Sequence, residues 1–140
     1  MIEIQKKSCD WLTFGRTAIT LWPFIVFRSD VPIHIGLRNH EMIHGRQQVE
    51  CIVVTWCIIG LFSILGWDVR WWVAVPVTLL NFYLWYVFVW FVQLILPPYD
   101  RAYRDICFEV EAYTNEDNPD YLKTRRWFAW WHYIFSNFKR

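Results

Sequence analysis

Two histidines and a glutamate in the first third of the chain have the spacing of a metal-dependent hydrolase site. His40, Glu41 and His44 form the pattern HExxH. On an α-helix, residues four apart lie about one turn apart on the same face, so the two imidazoles can bind one metal ion. Glu41 would lie beside them, where it could accept a proton from a water molecule at the metal. The pattern therefore predicts a site for one Zn²⁺ ion with a glutamate as general base.

The third metal ligand must come from elsewhere in the chain. A catalytic zinc site usually has three protein ligands, and HExxH supplies two. The metzincin extension of the pattern would place a third histidine at position 50, which is Glu50 here. At 100° per residue, Glu50 lies about 80° from His40 around a helix and further from His44, so it points off the shared face. Gln47 is expected to line the site, and the third ligand is expected on another helix.

The composition indicates a membrane protein. Of the 140 residues, 56% are hydrophobic and 21% are aromatic, with 11 Trp, 11 Phe and 7 Tyr. Such enrichment in Trp and Tyr is typical of membrane–water interfaces. Charged residues make up 19% of the chain, below the roughly 25% usual for soluble domains. The aromatic residues follow hydrophobic runs instead of alternating with Lys and Arg, so no nucleic-acid partner is expected. The length favours one domain over residues 1–140.

Two apolar runs are long enough to cross a bilayer as helices. The first covers approximately residues 49–66 and continues a helix that begins near Ile33 or Leu37, so HExxH lies at its mouth. Residues 29–32 (SDVP) resemble a helix-start signal for it. The second run, residues 71–96, carries no formal charge. The sequence thus predicts a mainly α-helical integral membrane fold with two transmembrane helices.

The remaining segments are too short or too polar to span the bilayer. Residues 17–27, with β-branched and aromatic residues and an internal proline, favour a short edge strand or a re-entrant segment. A strand there could pair with an extended substrate or simply cover the core. Residues 99–115 predict a helix with alternating charges. Residues 121–140, in which basic residues border an aromatic run, predict a C-terminal helix in the membrane interface, with an ordinary packing helix as the alternative.

Two membrane crossings return the chain to the side that carries HExxH. The opposite side has a short turn with Asp68 and Arg70 as its charges. The HExxH side carries basic residues in both terminal segments and at Arg38, Arg46, Arg101 and Arg104. The positive-inside rule therefore predicts that HExxH faces the cytoplasm. Residues 108–113 follow the second span directly and return to the same level, which makes this segment a source for the third ligand.

The order HExxH, two membrane spans and then FExxA resembles the membrane gluzincins, zinc metallopeptidases of the CAAX prenyl protease, HtpX heat-shock and Bla/Mec sensor types. The chain looks closer still to small bacterial membrane proteins with NHExIHxRQQxE and a later FExEAY, over about residues 20–125. In gluzincins the glutamate of a downstream ExxxAD-like motif completes the zinc site. Carried over, this ligand falls on Glu109, with Ala112 at the matching distance. Glu116, which shares the helix face of Glu109, and Glu111 remain alternatives.

One departure from the family pattern concerns catalysis. The aspartate that follows the alanine in the family, and supports the site, is Tyr113 here. Tyr113 could hydrogen-bond a ligand or the oxyanion of the transition state. Arg46, Tyr103 and His132 are further candidates for an oxyanion donor. His34 is expected to lie at the helix start or on the surface and not to bind the metal.

The resemblance implies a zinc metallopeptidase of the bacterial inner membrane that hydrolyses peptide bonds at the cytoplasmic face. Its partners would be the bilayer and a peptide or membrane-protein substrate. Zn²⁺ would be held by His40, His44 and Glu109, with Glu41 and Tyr113 as catalytic residues. One alternative is a non-catalytic metallopeptidase-like adaptor or accessory subunit of a larger membrane complex. Another is a metal-dependent hydrolase of a lipid or another non-peptide substrate.

Overall fold

The computed structural model describes residues 1–95 and 106–134 and is mainly helical, with one small sheet. The described helices are α1 (Ile35–Ile64), α2 (Trp71–Ile95), α3 (Cys107–Asn115) and α4 (Tyr121–Thr124). The strands are β1 (Ile2–Gln5), β2 (Ala18–Leu21) and β3 (Phe24–Phe27). Two 3₁₀ helices, Lys7–Thr13 and Ala129–Tyr133, lie near the two ends of the described chain.

Helices α1 and α2 are both long and apolar enough to cross a membrane. Their bounds lie close to those predicted from the apolar runs. The start of α1 is capped by His34, whose Nδ1 accepts a hydrogen bond from the backbone N–H of Leu37 at 3.1 Å. The prediction that residues 29–32 cap the start of the helix was therefore wrong. His34 lies at the helix start, which is one of the two positions expected for it.

The polarity of the α1–α2 pair is reversed relative to that of a soluble helical pair. Between the helices, Asn81 Nδ2 donates to Thr55 Oγ1 at 2.9 Å, and Ala74 and Thr78 are buried. The outer faces carry large exposed apolar side chains, among them Trp56, Ile58, Leu61, Leu80, Leu84, Val87 and Phe88. Small and polar residues inside with apolar residues outside are typical of helices that pack in lipid. In water, such a surface would be an unusually large exposed hydrophobic patch.

The segment predicted as one strand forms a hairpin in a three-stranded sheet. Strands β2 and β3 are antiparallel, and β1 pairs parallel to the other side of β3, so the order is β1-β3-β2. The Trp22-Pro23 peptide bond between β2 and β3 is cis. The sheet contains the predicted edge strand, which is β2. The extent predicted for it was wrong, because Pro23 lies in a turn and the chain then reverses into the central strand.

The C-terminal segment is not one continuous helix within residues 121–134. Helix α4 ends before Arg125, and Phe128 has a left-handed backbone conformation with φ of 57°. The 3₁₀ helix that follows buries Trp130, whose ring lies against Phe108 with 5.0 Å between centroids. The predicted interfacial helix was therefore wrong for this stretch, because packing of Trp130 and Arg125 into the protein bends the chain. Residues 135–140 of that prediction lie outside the described residues.

Helix α3 is shorter than the helix predicted over residues 99–115. It begins at Cys107 because Ile106 has an extended backbone, with φ of −63° and ψ of 127°. Residues 99–105 lie outside the described part of the chain. Helix α3 packs against α1 and against the C-terminal 3₁₀ helix. This packing places Glu109 beside the HExxH turn of α1.

Candidate metal centre

The side chains of His40, His44 and Glu109 are buried and meet at one point between α1 and α3. The Nε2 atoms of the two histidines lie 3.1 Å apart. His40 Nε2 lies 3.4 Å from Glu109 Oε2, and His44 Nε2 lies 3.5 Å from Glu109 Oε1. The structure thus brings together the three residues for which metal ligation was predicted.

The donor atoms and their spacing fit a zinc ion. Ligand atoms about 2.0–2.2 Å from a tetrahedral metal lie about 3.3–3.6 Å from one another. The separations of 3.1, 3.4 and 3.5 Å between the histidine nitrogens and the glutamate oxygens are close to this range. Two imidazoles and one carboxylate form a donor set that catalytic zinc sites use, with a fourth position left for water.

Both histidines are oriented through their second ring nitrogen. His40 Nδ1 lies 2.8 Å from Glu116 Oε2, and His44 Nδ1 lies 2.8 Å from Gln47 Oε1. Both partners are acceptors through these oxygens, so each histidine donates from Nδ1–H and keeps the lone pair of Nε2 for a metal. Such partners fix the tautomer and the ring orientation of a metal-binding histidine. Gln47 therefore lines the site in the way the sequence suggested.

Glu116 and Glu111, the alternatives for the third ligand, contact groups other than the inward-facing nitrogens. Glu116 binds the outer nitrogen of His40, and Glu111 accepts a hydrogen bond from Gln47 Nε2 at 3.0 Å. The ring of Tyr113 packs edge-on against His40, with 4.7 Å between centroids. Tyr113 occupies the position at which the resembled family has a supporting aspartate. In this chain the carboxylate next to His40 is instead that of Glu116.

Two contacts to the site come from residues that the sequence analysis did not single out. Tyr86 of α2 donates a hydrogen bond to Glu109 Oε1 at 2.8 Å. Thr20 of β2 donates to Glu41 Oε2 at 2.7 Å. A tyrosine in an apolar helix and a threonine in a strand are ordinary packing residues, so their types carry no signal of a site. Together they tie the ligand and the candidate base to the membrane helix and to the sheet.

Glu116→Gln is expected to weaken zinc binding about 10- to 100-fold without abolishing it. A neutral amide oxygen accepts a weaker hydrogen bond from His40 than a carboxylate does, so the imidazole is a poorer ligand. Competition with a chromophoric chelator measures the zinc affinity. Asp117→Asn is the matched control, because it neutralises an exposed carboxylate one residue away. Equal affinities in the two variants would contradict the role of Glu116.

The Glu109 carboxyl is ionised in the folded protein. Burial by itself raises its pKa, but the charge of His44 and hydrogen bonds from His40 and His44 have the larger combined effect. They hold the pKa of Glu109 well below its usual range. An ionised carboxylate that faces two imidazole nitrogens is the state in which a divalent cation binds.

Zinc affinity is expected to fall roughly 10- to 100-fold between pH 7.5 and pH 5.5. Protons compete with the metal for the histidine nitrogens, so the metal affinity falls as the pH falls. Glu109 keeps its charge across this range because its pKa is lowered, so it contributes little to the change. Chelator competition at several pH values measures the slope. Glu109→Gln should lower the affinity at every pH, whereas an affinity independent of pH would contradict histidine ligation.

The ligand cluster opens into a cleft of about 1060 Å³. The cleft is bordered by β2, the segment before it, and the facing sides of α1, α2 and α3. Of the candidate oxyanion donors, Tyr113 lines this cleft. Arg46 and His132 are exposed elsewhere on the described surface, and Tyr103 lies outside the described residues. The cleft reaches His40, His44 and Glu109 from the side of the sheet.

Behind the ligands, Arg125 is buried between two carboxylates. Its side chain is 4% exposed and pairs with Glu50 of α1 and Glu111 of α3. The Arg125 Nε–Glu111 Oε1 distance is 2.5 Å, and Trp130 Nε1 donates to Glu50 Oε2 at 2.9 Å. A buried arginine bound by two carboxylates joins the C-terminal segment to both helices that carry the ligands.

This charge cluster is connected to a metal ligand through hydrogen bonds. Arg125 holds Glu111, Glu111 accepts from Gln47, and Gln47 accepts from His44 Nδ1. Gln47 Nε2 also donates to the backbone carbonyl of Phe108 at 3.1 Å. The orientation of His44 therefore depends on a residue 81 positions later in the sequence, by the difference of the two residue numbers.

No protein-family model, curated protein or solved structure matches the chain.

Proposed function

We propose that the protein is a membrane-embedded zinc metallopeptidase that hydrolyses peptide bonds at the cytoplasmic face of the bacterial inner membrane. The observation that carries this proposal is the spacing of 3.1–3.5 Å among the two histidine nitrogens and the Glu109 oxygens, with Glu41 next in sequence to His40. A buried set of two imidazoles and one carboxylate in a wide cleft is the arrangement of a catalytic zinc site.

The chain supplies the acid–base chemistry through Glu41. When bound, Zn²⁺ would lower the pKa of a coordinated water to about 7 and polarise the scissile carbonyl. Glu41 is held by the Thr20 hydroxyl at the cleft wall. It accepts the proton of the attacking water and passes it to the leaving amine. Tyr113, which lines the same cleft, is the proposed oxyanion donor.

The edge of β2 provides a place for an extended substrate. The Thr17 carbonyl accepts a hydrogen bond from the Arg28 N–H. By the alternation of an antiparallel pair, the backbone groups of Ala18 and Thr20 then face away from β3. Both residues line the cleft, but the Thr20 carbonyl is already bound by Gln48 and Tyr83, so a substrate would pair with the Ala18 end of this edge. A peptide that paired with this edge would lie beside Glu41, which favours a peptide over a lipid as the substrate.

The membrane location is supported by the outer surfaces of α1 and α2. Both helices expose apolar side chains over a length that can cross a bilayer. The turn between the helices carries Asp68 and Arg70, whereas the HExxH side carries more basic residues, including Arg38 and Arg46. This asymmetry favours a cytoplasmic metal centre by the positive-inside rule.

A metal-binding adaptor or accessory subunit of a larger complex is the second candidate function. The observation that favours it is Tyr113, which stands where the resembled family has an aspartate. Such a protein would keep the zinc site and lack turnover. The two functions therefore differ in peptide hydrolysis and share metal binding.

Metal analysis of the protein purified in detergent tests the shared part of the proposal. We expect about one zinc ion per chain. We expect Glu109→Ala to lose that zinc, because only two of the three protein ligands remain. Asp117→Ala, which removes an exposed carboxylate near the same helix end, should keep full occupancy. A folded wild-type protein without zinc, or full occupancy in Glu109→Ala, would overturn the assignment. Cleavage of a quenched fluorescent peptide library then separates peptidase from adaptor.

A further inference from the structure

The β2–β3 hairpin has one apolar end and one charged end. At its turn, Trp22 and Phe24 are 44% and 41% exposed, and Ile2 of the adjoining β1 is 55% exposed. At the other end of the same strands lie Arg16 and the ion-paired residues Arg28 and Asp30. We call the residues Ile2, Trp22, Pro23 and Phe24 the hairpin tip. The sheet thus has a polarity gradient along its strands, in addition to the usual difference between its two faces.

The hairpin tip lies beside the apolar parts of both long helices. Trp22 borders a cavity of about 260 Å³ together with Ile52 of α1 and Leu79 of α2. Ile52 follows His44 by eight residues, which is about 12 Å along the helix axis at 1.5 Å per residue. Trp22 is therefore displaced from the metal ligands toward the apolar end of α1 and lies next to apolar side chains of both helices.

The backbone of β2 is paired where the strand approaches the tip. The Thr20 carbonyl accepts hydrogen bonds from Gln48 Nε2 at 2.8 Å and from the Tyr83 hydroxyl at 2.7 Å. The Trp22 N–H donates to Gln48 Oε1 at 2.8 Å. The Gln48 amide thus binds the outer edge of β2 as a neighbouring strand would. Non-helical backbone at membrane depth is tolerated where protein groups satisfy it, and Gln48 and Tyr83 do so at these positions.

We propose that the hairpin tip inserts into the acyl-chain region of the bilayer beside α1 and α2, with the charged end of the hairpin in water. The proposal rests on the membrane location given under Proposed function and is independent of peptidase activity. Water is an unfavourable environment for three large exposed apolar side chains that lie at the same end of the sheet. Lipid is the occupant that matches the apolar side chains of the tip and the apolar helices beside it. As a consequence, the metal cleft borders lipid along one side.

Spin labels at the two ends of the hairpin test the insertion. In a background with all four cysteines replaced, Phe24→Cys and Ser29→Cys are labelled and reconstituted in lipid nanodiscs. Both positions are exposed; Phe24 begins β3 at the tip, and Ser29 lies in the turn after the other end of β3. At position 24 we expect high accessibility to oxygen and several-fold lower accessibility to a water-soluble nickel chelate than at position 29. Equal accessibility to the nickel chelate at the two positions would overturn the proposal.

A third label tests whether α2 lies in the membrane, independently of whether the hairpin tip inserts. Leu84 on the outer face of α2 is 62% exposed and should report lipid if α2 spans the bilayer. A lipid signal at Leu84→Cys with a water signal at Phe24→Cys would refute tip insertion alone. A water signal at both would refute the membrane location as well. Zinc binding of each labelled variant verifies that its fold is retained, and Ile2→Cys provides a second tip position if Phe24→Cys does not fold.

Discussion

Glu41→Gln is expected to reduce peptide hydrolysis by about 10²- to 10⁴-fold while zinc occupancy stays near the wild-type value. The amide has nearly the shape of the carboxylate and can still accept the hydrogen bond from Thr20 Oγ1. It cannot accept a proton from water, so the loss falls on the chemical step. The measurement is the turnover of a peptide that the wild-type protein cleaves, together with the zinc content of the same sample.

Asp117→Asn is the matched control for Glu41→Gln, since it removes one negative charge from an exposed site and should keep full turnover. Turnover that survived Glu41→Gln would show that another group is the general base. If the wild-type protein binds zinc and cleaves no peptide of a broad library, the adaptor function is favoured instead. Measuring metal content and turnover together therefore distinguishes a zinc site that hydrolyses peptides from one that only binds the metal.

Arg125→Ala is expected to lower the free energy of unfolding by about 3–5 kcal/mol, because it leaves Glu50 and Glu111 buried without a counter-charge. The Arg125 side chain is 4% exposed, and those of Glu50 and Glu111 are 3% and 0% exposed. Water therefore cannot replace the lost guanidinium without opening the structure. Denaturant titration in detergent, followed by near-ultraviolet dichroism of the tryptophans, measures the loss.

Lys123→Ala is the control for Arg125→Ala. Its ammonium group is in the same short segment but is 77% exposed, so its pair with Asp120 should contribute within about 0.5 kcal/mol. A triple variant with Arg125→Met, Glu50→Gln and Glu111→Gln should recover much of the lost stability, because it leaves no buried charge. Equal stability of Arg125→Ala and Lys123→Ala would contradict the structural role of the buried arginine.

The long helices and the metal-binding pair were predictable because each has a strong local signal. An uninterrupted apolar run of bilayer length defines α2 almost by itself, and four-residue spacing places His40 and His44 on one helix face. Glu109 followed from the resemblance and from the return of the chain after two spans. The predicted ligand group and the described geometry agree for these three residues.

The hairpin was not predicted as such because its turn lacks the usual residues. Two-residue hairpin turns usually contain glycine or asparagine, whereas this one is Trp22-Pro23. Strand β1 (IEIQ) is four residues long and carries a charge, so its pattern differs little from that of a polar loop. Strand β1 is stabilised by pairing with β3, for example Ile2 with Phe24, and this contact between distant residues leaves no local signal.

The supporting residues of the site were harder to predict for a different reason. Glu116 was weighed as a ligand because it shares a helix face with Glu109, yet it binds the opposite nitrogen of His40. Arg125 belongs to a basic run that is typical of a solvated or lipid-facing surface. Only the fold shows that its side chain is buried and paired with two carboxylates. Which of several similar charges becomes buried depends on tertiary packing, which overrides the composition of the segment.

The buried contact between Arg125 and Glu50 also has a consequence for biosynthesis. Glu50 is made 75 residues before Arg125, by the difference of their numbers, and the hydrogen bonds that orient His44 end at the same arginine. During synthesis, α1 and α2 are translated before Arg125, so Glu50 at first lacks its counter-charge. The hydrogen bonds that orient His44 can therefore form in full only after Arg125 has been translated.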